Sequence, residues 1–200
     1  MKRRDVLKLM AAAPFIGVLD WSPEEVSGAA LKVEALGGAA LEPQFFTAHE
    51  WRTLHALVDL IIPADGKSGS ATDAGVPEFM DFMLNEASDS RQRAMHEGFV
   101  WLDEETRRRH DVTFADATDA QRRSILDDIA WPARAPEQLS AGVAFFNSVR
   151  DLTAAGFFSS RMGYDDLEFR GNEFVVEWQG CPPAALEKLG VSYDLMEKRP

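Results

Sequence analysis

Residues 47–63, TAHEWRTLHALVDLIIP, begin with a capping box and end at a proline. In a capping box the hydroxyl of Thr47 accepts a hydrogen bond from the backbone N–H of Glu50, and the Glu50 carboxylate accepts one from the N–H of Thr47. Large apolar residues then recur three and four positions apart, at Trp51, Leu54, Leu57, Val58, Ile61 and Ile62. Because Pro63 cannot continue a helix, the stretch predicts an amphipathic helix that stops there.

Four further stretches combine a helix-opening residue with apolar residues at helical spacing. They begin at Pro77, at Ser90, at Thr118 or Asp119, and at Pro136. We expect the last to be the longest helix and to end at the turn residue Gly156. Residues 173–178 are the exception, because they suggest a short strand or an extended arm. Five helices predict an all-α, single-domain helical bundle.

Composition favours a compact body. With 200 residues and 46% hydrophobic content, the chain can bury one sizeable core. Its net charge of -12 argues against nucleic acid or anionic lipid as a partner, because both are bound through Lys and Arg side chains.

The N-terminus resembles a twin-arginine export signal. Arg3 and Arg4 are followed by Leu7 and Lys8, which match that pattern, and then by the uncharged run from Leu9 to Leu19. A run of about 11 residues is short for a membrane-spanning helix, which needs roughly 20. We therefore expect export by the twin-arginine translocase; the alternative is a basic N-terminus that leads into a buried helix.

The predicted boundaries place the signal region at residues 1–30, a linker at 31–42 and the folded domain at 43–200. The linker prediction rests on the Gly/Ala-rich residues 27–40, which lack sustained periodicity. Small residues at 27–29 and 37–39 are the two candidate cleavage sites, and an uncleaved signal is a further option.

No cofactor is expected in this chain. Cys181 is the only cysteine, so Cys-ligated iron–sulfur clusters and covalently attached haem are excluded. The four histidines do not occur at metal-ligand spacing, and no Gly-rich phosphate loop is present. Because the twin-arginine route carries folded proteins, the chain is interpreted as a passenger that supplies the signal for a partner.

The C-terminal segment, residues 156–200, mixes aromatic residues with glycines and shows little helical periodicity. We predict an irregular segment that lies over a surface, either its own or a partner's. Its acids Asp165, Asp166 and Glu168 fit a solvated turn better than a catalytic carboxylate pair.

On several of these motifs the chain resembles the gluconate 2-dehydrogenase subunit 3 family. The matching stretches are residues 46–50, 61–63, 74–76, 156–159, 171–172 and 178–182, together with the twin-arginine start. Phe stands at Phe157, Phe158 and Phe169, where family members commonly carry Tyr. This difference removes hydroxyl groups but keeps the aromatic rings.

The resemblance implies a non-catalytic small subunit. Its partner would be a large FAD-containing subunit of the glucose-methanol-choline type, which oxidises a sugar or sugar acid and passes electrons to a cytochrome c or another acceptor. The small subunit would assist folding, flavin loading and export of this partner. The complex would then be periplasmic and associated with the inner membrane.

The candidate site residues are those of a partner interface. Aromatic side chains dominate buried contact centres, although internal packing explains them equally well. The candidates are Phe157, Phe158, Tyr164, Phe169, Arg170, Asn172, Trp178, Gly180 and Pro182. An unpaired cysteine in an exported protein indicates an intermolecular disulfide or a buried thiol, and the flanking Gly180 and Pro182 favour an exposed Cys181 bonded to the large subunit.

Two hypotheses compete with the subunit interpretation. One is a stand-alone exported enzyme with an unrecognised site. The other is a periplasmic all-α module in which the aromatic segment lines a ligand pocket.

Overall fold

The computed structural model describes residues 21–39, 41–169 and 180–193. The predicted export signal and the candidate strand at 173–178 lie outside these residues. The chain divides into two units, Met1–Phe169 and Arg170–Pro200, and each is described by itself.

The described residues form α-helices and contain no strand, so the all-α prediction is confirmed for them. The helices of the first unit are α1 (Pro23–Leu36), α2 (Ala48–Ile61), α3 (Val76–Asn85), α4 (Asp89–His110), α5 (Asp119–Ile129), α6 (Ser140–Ser159) and α7 (Arg161–Asp166). A 3-10 turn, Glu137–Leu139, leads into α6, and α8 (Pro183–Leu189) belongs to the second unit. No helix among the described residues is both long enough and apolar enough to cross a membrane.

The predicted helix starts are close to the observed ones. The capping box of Thr47 and Glu50 is present at the start of α2. Thr118, and not Asp119, caps α5, where Gln121 completes a second capping box. Local side-chain chemistry therefore sets where these helices begin.

Helix α6 lies at the centre of the first unit and packs against α1, α2, α3, α4, α5 and α7. Its buried side chains include Phe146, Val149 and Phe157, which join the main apolar core. Each of the other helices covers part of this one helix, so the bundle closes around it.

Helices α4 and α6 pack with a glycine of each helix against an aromatic ring of the other. Gly98 of α4 lies directly under the Phe145 ring of α6, and Gly142 of α6 lies under the Trp101 ring of α4. A Cβ atom at either glycine would overlap the facing ring. The two helices therefore approach as closely as they do only because both positions lack a side chain.

A buried carboxylate holds the segment that precedes α2 in place. Asp81 of α3 is 1% exposed. It accepts hydrogen bonds from the backbone N–H groups of Gln44, Phe45 and Phe46 at 3.0, 2.9 and 3.3 Å. Three charge-assisted bonds satisfy the buried carboxylate and hold residues 44–46 against α3.

Charged side chains also join α4 to α5. Arg109 donates to Glu105 on its own helix and to Asp128 on α5, each at 2.6 Å. Hydrogen bonds from Arg108 and Arg109 hold the pKa of Glu105 below its usual value, although burial acts in the opposite direction.

The predicted linker, residues 31–42, is wrong at residues 31–36, because they form the last part of α1. Ser22 and Glu25 make a capping box at its start, Ala29 is buried, and Gly37 ends the helix in the left-handed conformation. The glycines of this region concealed the helix, because they weaken a periodic signal without excluding a helix. The candidate cleavage site at 27–29 lies inside α1.

The predicted end of α6 at Gly156 is also wrong. The helix continues to Ser159, and with 20 residues it is shorter than α4, which has 22. Gly156 serves packing and not a turn, because a Cβ there would lie 2.7 Å from Cδ1 of Phe79 on α3. The first part of the predicted irregular segment is therefore helical.

We predict that Gly142→Ala lowers the free energy of unfolding by about 1–3 kcal/mol, because the new methyl group overlaps Trp101. The matched control is Gly28→Ala in α1, where nothing lies within 4 Å of the added Cβ. Since alanine favours helix, this control should be neutral or stabilising by up to about 1 kcal/mol. Urea unfolding followed by circular dichroism measures both, and equal effects would contradict the packing account.

Candidate partner-binding surface

A tight turn joins α6 to α7. The Ser160 hydroxyl donates to the carbonyl oxygen of Phe157 at 2.7 Å and accepts from the N–H of Gly163 at 3.1 Å. A Cβ at Gly163 would overlap the same Phe157 carbonyl oxygen. The Ser160 cap and the absent side chain of Gly163 together fix α7 against the end of α6.

Helix α7 and the residues that follow it present three apolar side chains to solvent. Tyr164, Leu167 and Phe169 are 44%, 46% and 62% exposed, and we call them the α7 patch. The rings of Tyr164 and Phe169 stack with centroids 5.6 Å apart and an interplanar angle of 27°. Neighbouring exposed apolar side chains that are held in a fixed arrangement are typical of a protein-binding surface.

A groove of about 1100 Å³ borders the α7 patch. It is lined by α1, by the loop before α3, by the end of α6 and by α7, and its charged side chains are mainly acidic. One basic residue on this rim, Lys67, lies 3.4 Å from Glu168. An apolar patch with a charged rim has the layout of a protein interface, where polar residues surround apolar contacts.

The acids Asp165, Asp166 and Glu168 lie at the end of α7 and just after it. Asp165 lies 3.6 Å from Arg161 one turn earlier, and both side chains are exposed. Asp165 and Asp166 belong to the last turn of α7, and Glu168 follows with a left-handed backbone. The structure thus places the acids in an exposed helix end, close to the solvated turn that the sequence predicted.

The predicted interface residues fall into different environments. Phe157 is fully buried in the core, so its assignment to the partner interface is wrong and internal packing explains it. Phe158 is half-buried, and its ring lies 5.2 Å from the Phe157 ring. Tyr164 and Phe169 are exposed as an interface requires. Arg170, Asn172 and Trp178 lie outside the described residues.

In the second unit, Cys181 is a free, exposed cysteine. Its backbone N–H donates to the hydroxyl oxygen of Tyr193 at 2.5 Å. Gly180 before it has a φ of 87°, and Pro182 after it precedes α8. The exposed position of Cys181 favours the intermolecular disulfide over a buried thiol, and the disulfide itself stays a prediction.

Two histidines have structural roles between α2 and α4. His49 Nε2 lies 2.5 Å from Asp103 Oδ2, and His96 Nδ1 lies 2.6 Å from Glu50 Oε1. Asp103 also accepts from the backbone N–H of Phe114 at 2.9 Å. Within the described ranges, no three His, Cys, Asp or Glu side chains are grouped so that they could hold a metal ion.

Sequence reasoning missed Leu167, which lies between Tyr164 and Phe169 in the sequence and is also exposed. A large apolar residue flanked by acids in a short helix is the signal that could have identified it.

A comparison with known protein families identifies the family of this chain. The profile of the family described as gluconate 2-dehydrogenase subunit 3 matches residues 48–176. The chain belongs to the gluconate 2-dehydrogenase subunit 3 family. No curated protein and no solved structure matches it.

The match locates the candidate residues within this subunit 3 protein. The matched range runs from α2 beyond α7 and includes the α7 patch. Helix α1 and Cys181 lie outside it. The family description assigns a subunit of a gluconate dehydrogenase, so a surface for other subunits is the expected functional site.

We predict that Ser160→Ala speeds hydrogen exchange at the Gly163 amide by about fivefold, because removing a helix cap costs about 1 kcal/mol. Ser159→Ala changes the neighbouring hydroxyl and leaves the Ser160 cap in place, so exchange there should stay as in the unaltered chain. Unchanged exchange in the Ser160 variant would show that the cap does not hold α7.

Proposed function

We propose that this protein is the non-catalytic small subunit of a periplasmic dehydrogenase. Its partner is a large FAD-dependent subunit of the glucose-methanol-choline type that oxidises a sugar or sugar acid. The observation that carries the proposal is the exposed α7 patch inside the family-matched range. The small subunit assists folding and flavin loading of this partner, and the electrons pass to a cytochrome c or another acceptor.

The α7 patch supports a protein partner because it is apolar, contiguous and fixed. Its residues are anchored through the Ser160 cap, and Phe169 also donates its N–H to the Tyr164 carbonyl oxygen at 3.0 Å. A partner that covers these rings gains apolar burial without having to order them.

The histidine and carboxylate side chains of this chain that are bonded within its fold support our placement of catalysis in the partner. His49 pairs with Asp103, and His96 pairs with Glu50, in two separate contacts between α2 and α4. Asp81 is fully used by three backbone N–H groups. These groups stabilise the fold, so we assign the proton and hydride chemistry to the large subunit.

The flavin does not fit the described part of this chain. A dinucleotide is held where a Gly-rich turn joins a strand to a helix N-terminus. Residues 21–39, 41–169 and 180–193 form helices and connections without such a turn. We therefore place FAD in the partner and derive no step through it here.

The N-terminal sequence supports the proposed route. Arg3 and Arg4, followed by Leu7, Lys8 and an apolar run, are typical of cargo for the twin-arginine translocase. A partner bound to the α7 patch would cross with this signal and reach the periplasm, where the complex associates with the inner membrane.

We predict that the tagged protein copurifies from its native envelope with a large yellow flavoprotein. Replacing both aromatic rings of the patch, Tyr164→Ser with Phe169→Ser, should reduce the recovered large subunit roughly tenfold or more, because interface aromatic residues contribute most of the binding energy. The control is Trp131→Ser, which removes a 41% exposed aromatic ring elsewhere. A colourless, monomeric protein without a partner would instead favour the ligand-binding module.

We also predict that Cys181 forms a disulfide with the large subunit after export. A denaturing gel without reductant should show one covalent heterodimer, and reductant should separate it into two bands. Cys181→Ser should abolish this band but leave copurification intact. A small subunit that migrates alone without reductant would disprove the disulfide.

A further inference from the structure

A second groove is lined by residues of α4 and α6, together with residues of α1 and α3. It has a volume of about 450 Å³, and we call it the α4–α6 groove. Its lining is mostly apolar and includes Trp21, Val26, Met83, Met95, Phe145 and Leu152. It lies apart from the α7 patch, whose residues do not line it.

The described part of the chain begins at one end of this groove. Trp21 is the first described residue and is part of the lining. The guanidinium group of Arg91, at the start of α4, lies 4.8 Å from the centre of the Trp21 ring. Residues that precede Trp21 are therefore attached at the mouth of the groove.

An uncharged run of residues ends two positions before Trp21. Residues 9–19 read LMAAAPFIGVL, and Asp20 alone separates them from Trp21. In water this run would expose several large apolar side chains, which is unfavourable. It thus has the chemistry that the lining of the groove accepts.

The length of residues 9–19 also matches the length of the groove. From Arg91 to Trp101 the groove follows α4 for about 15 Å, at 1.5 Å per residue. Residues 9–19 would span about 16 Å as a helix and at most roughly 40 Å when extended. The run can therefore cover the whole groove from its attachment at Trp21.

The charges near the far end are complementary. Glu97 lines the groove, and Glu104 lies two turns further along α4; both are exposed. Lys2, Arg3, Arg4 and Lys8 precede the apolar run and would come nearest to this end. Opposite charges at this position would favour binding with the basic end away from Trp21.

We propose that residues 9–19 bind in the α4–α6 groove of the same chain. The contact removes the apolar run from water in the folded protein and places the basic residues beside the acids of α4. It goes beyond the proposed subunit function, and it does not depend on the export route or on the identity of the large subunit.

Disulfide trapping in the full chain tests this contact. With Cys181→Ser to remove the native thiol, Ala13→Cys is combined with Ser148→Cys, an exposed position in the groove. The control combines Ala13→Cys with Ser124→Cys, an exposed position on α5 that does not line the groove. Oxidation should link the groove pair at least roughly tenfold faster than the control pair, because docking raises the effective concentration of the two thiols.

A further substitution separates docking from mere proximity. Ala144→Glu puts a charge on an exposed groove position and should bring the linking rate of the groove pair down to that of the control. The same substitution at Ala120→Glu, an exposed site on α5 that does not line the groove, should change nothing.

Three outcomes would overturn the proposal. Equal linking of both pairs would mean that residues 9–19 sample the surface without docking. Links between two molecules, seen as a dimer on a denaturing gel, would assign the groove to a second copy. Unchanged linking after Ala144→Glu would place the contact outside the groove. Mass spectrometry of the linked peptides distinguishes these cases.

Discussion

The close approach of α4 and α6 is the constraint on which the rest of this structure depends. Each helix contributes a glycine where the other contributes a ring, at Gly98 with Phe145 and at Gly142 with Trp101. Because α6 also packs against α1, α2, α3, α5 and α7, its position relative to α4 sets where all of them lie. A side chain at either glycine would push the helices apart and disturb the whole core.

Buried carboxylates then fix the parts that apolar packing leaves undetermined. Asp81 holds the backbone of residues 44–46, and Asp103 contacts His49 on α2 and the N–H of Phe114 before α5. Apolar contacts are non-directional, so they bring helices together without specifying how loops meet them. Hydrogen bonds to an ionised group are directional, and an unpaired buried charge is costly, so each carboxylate specifies one arrangement of its loop.

The sequence predicted α2 to α5 well because their signals are local. A capping residue, a periodic apolar face and a proline all act within a few residues. The wrong helix predictions concern glycines, whose structural role depends on residues that are distant in the sequence. Gly156 resembles a helix end in the sequence, but it lies in a helix because the Phe79 ring occupies the space of its missing side chain. Gly28 and Gly37 likewise concealed α1, whose burial against α3 and α6 is a tertiary effect.

Two glycines, Gly156 and Gly163, determine how ordered the candidate partner-binding surface is before a partner binds. An irregular aromatic segment would have to become ordered when it binds a partner, and that ordering opposes binding. Here Gly156 lets α6 continue past Phe79, and Gly163 lets α7 pack on the Phe157 carbonyl oxygen. Tyr164 and Phe169 are consequently held in a stacked pair before any partner arrives. A preorganised patch of this kind needs fewer contacts for the same affinity, which suits a small subunit that binds through a limited surface.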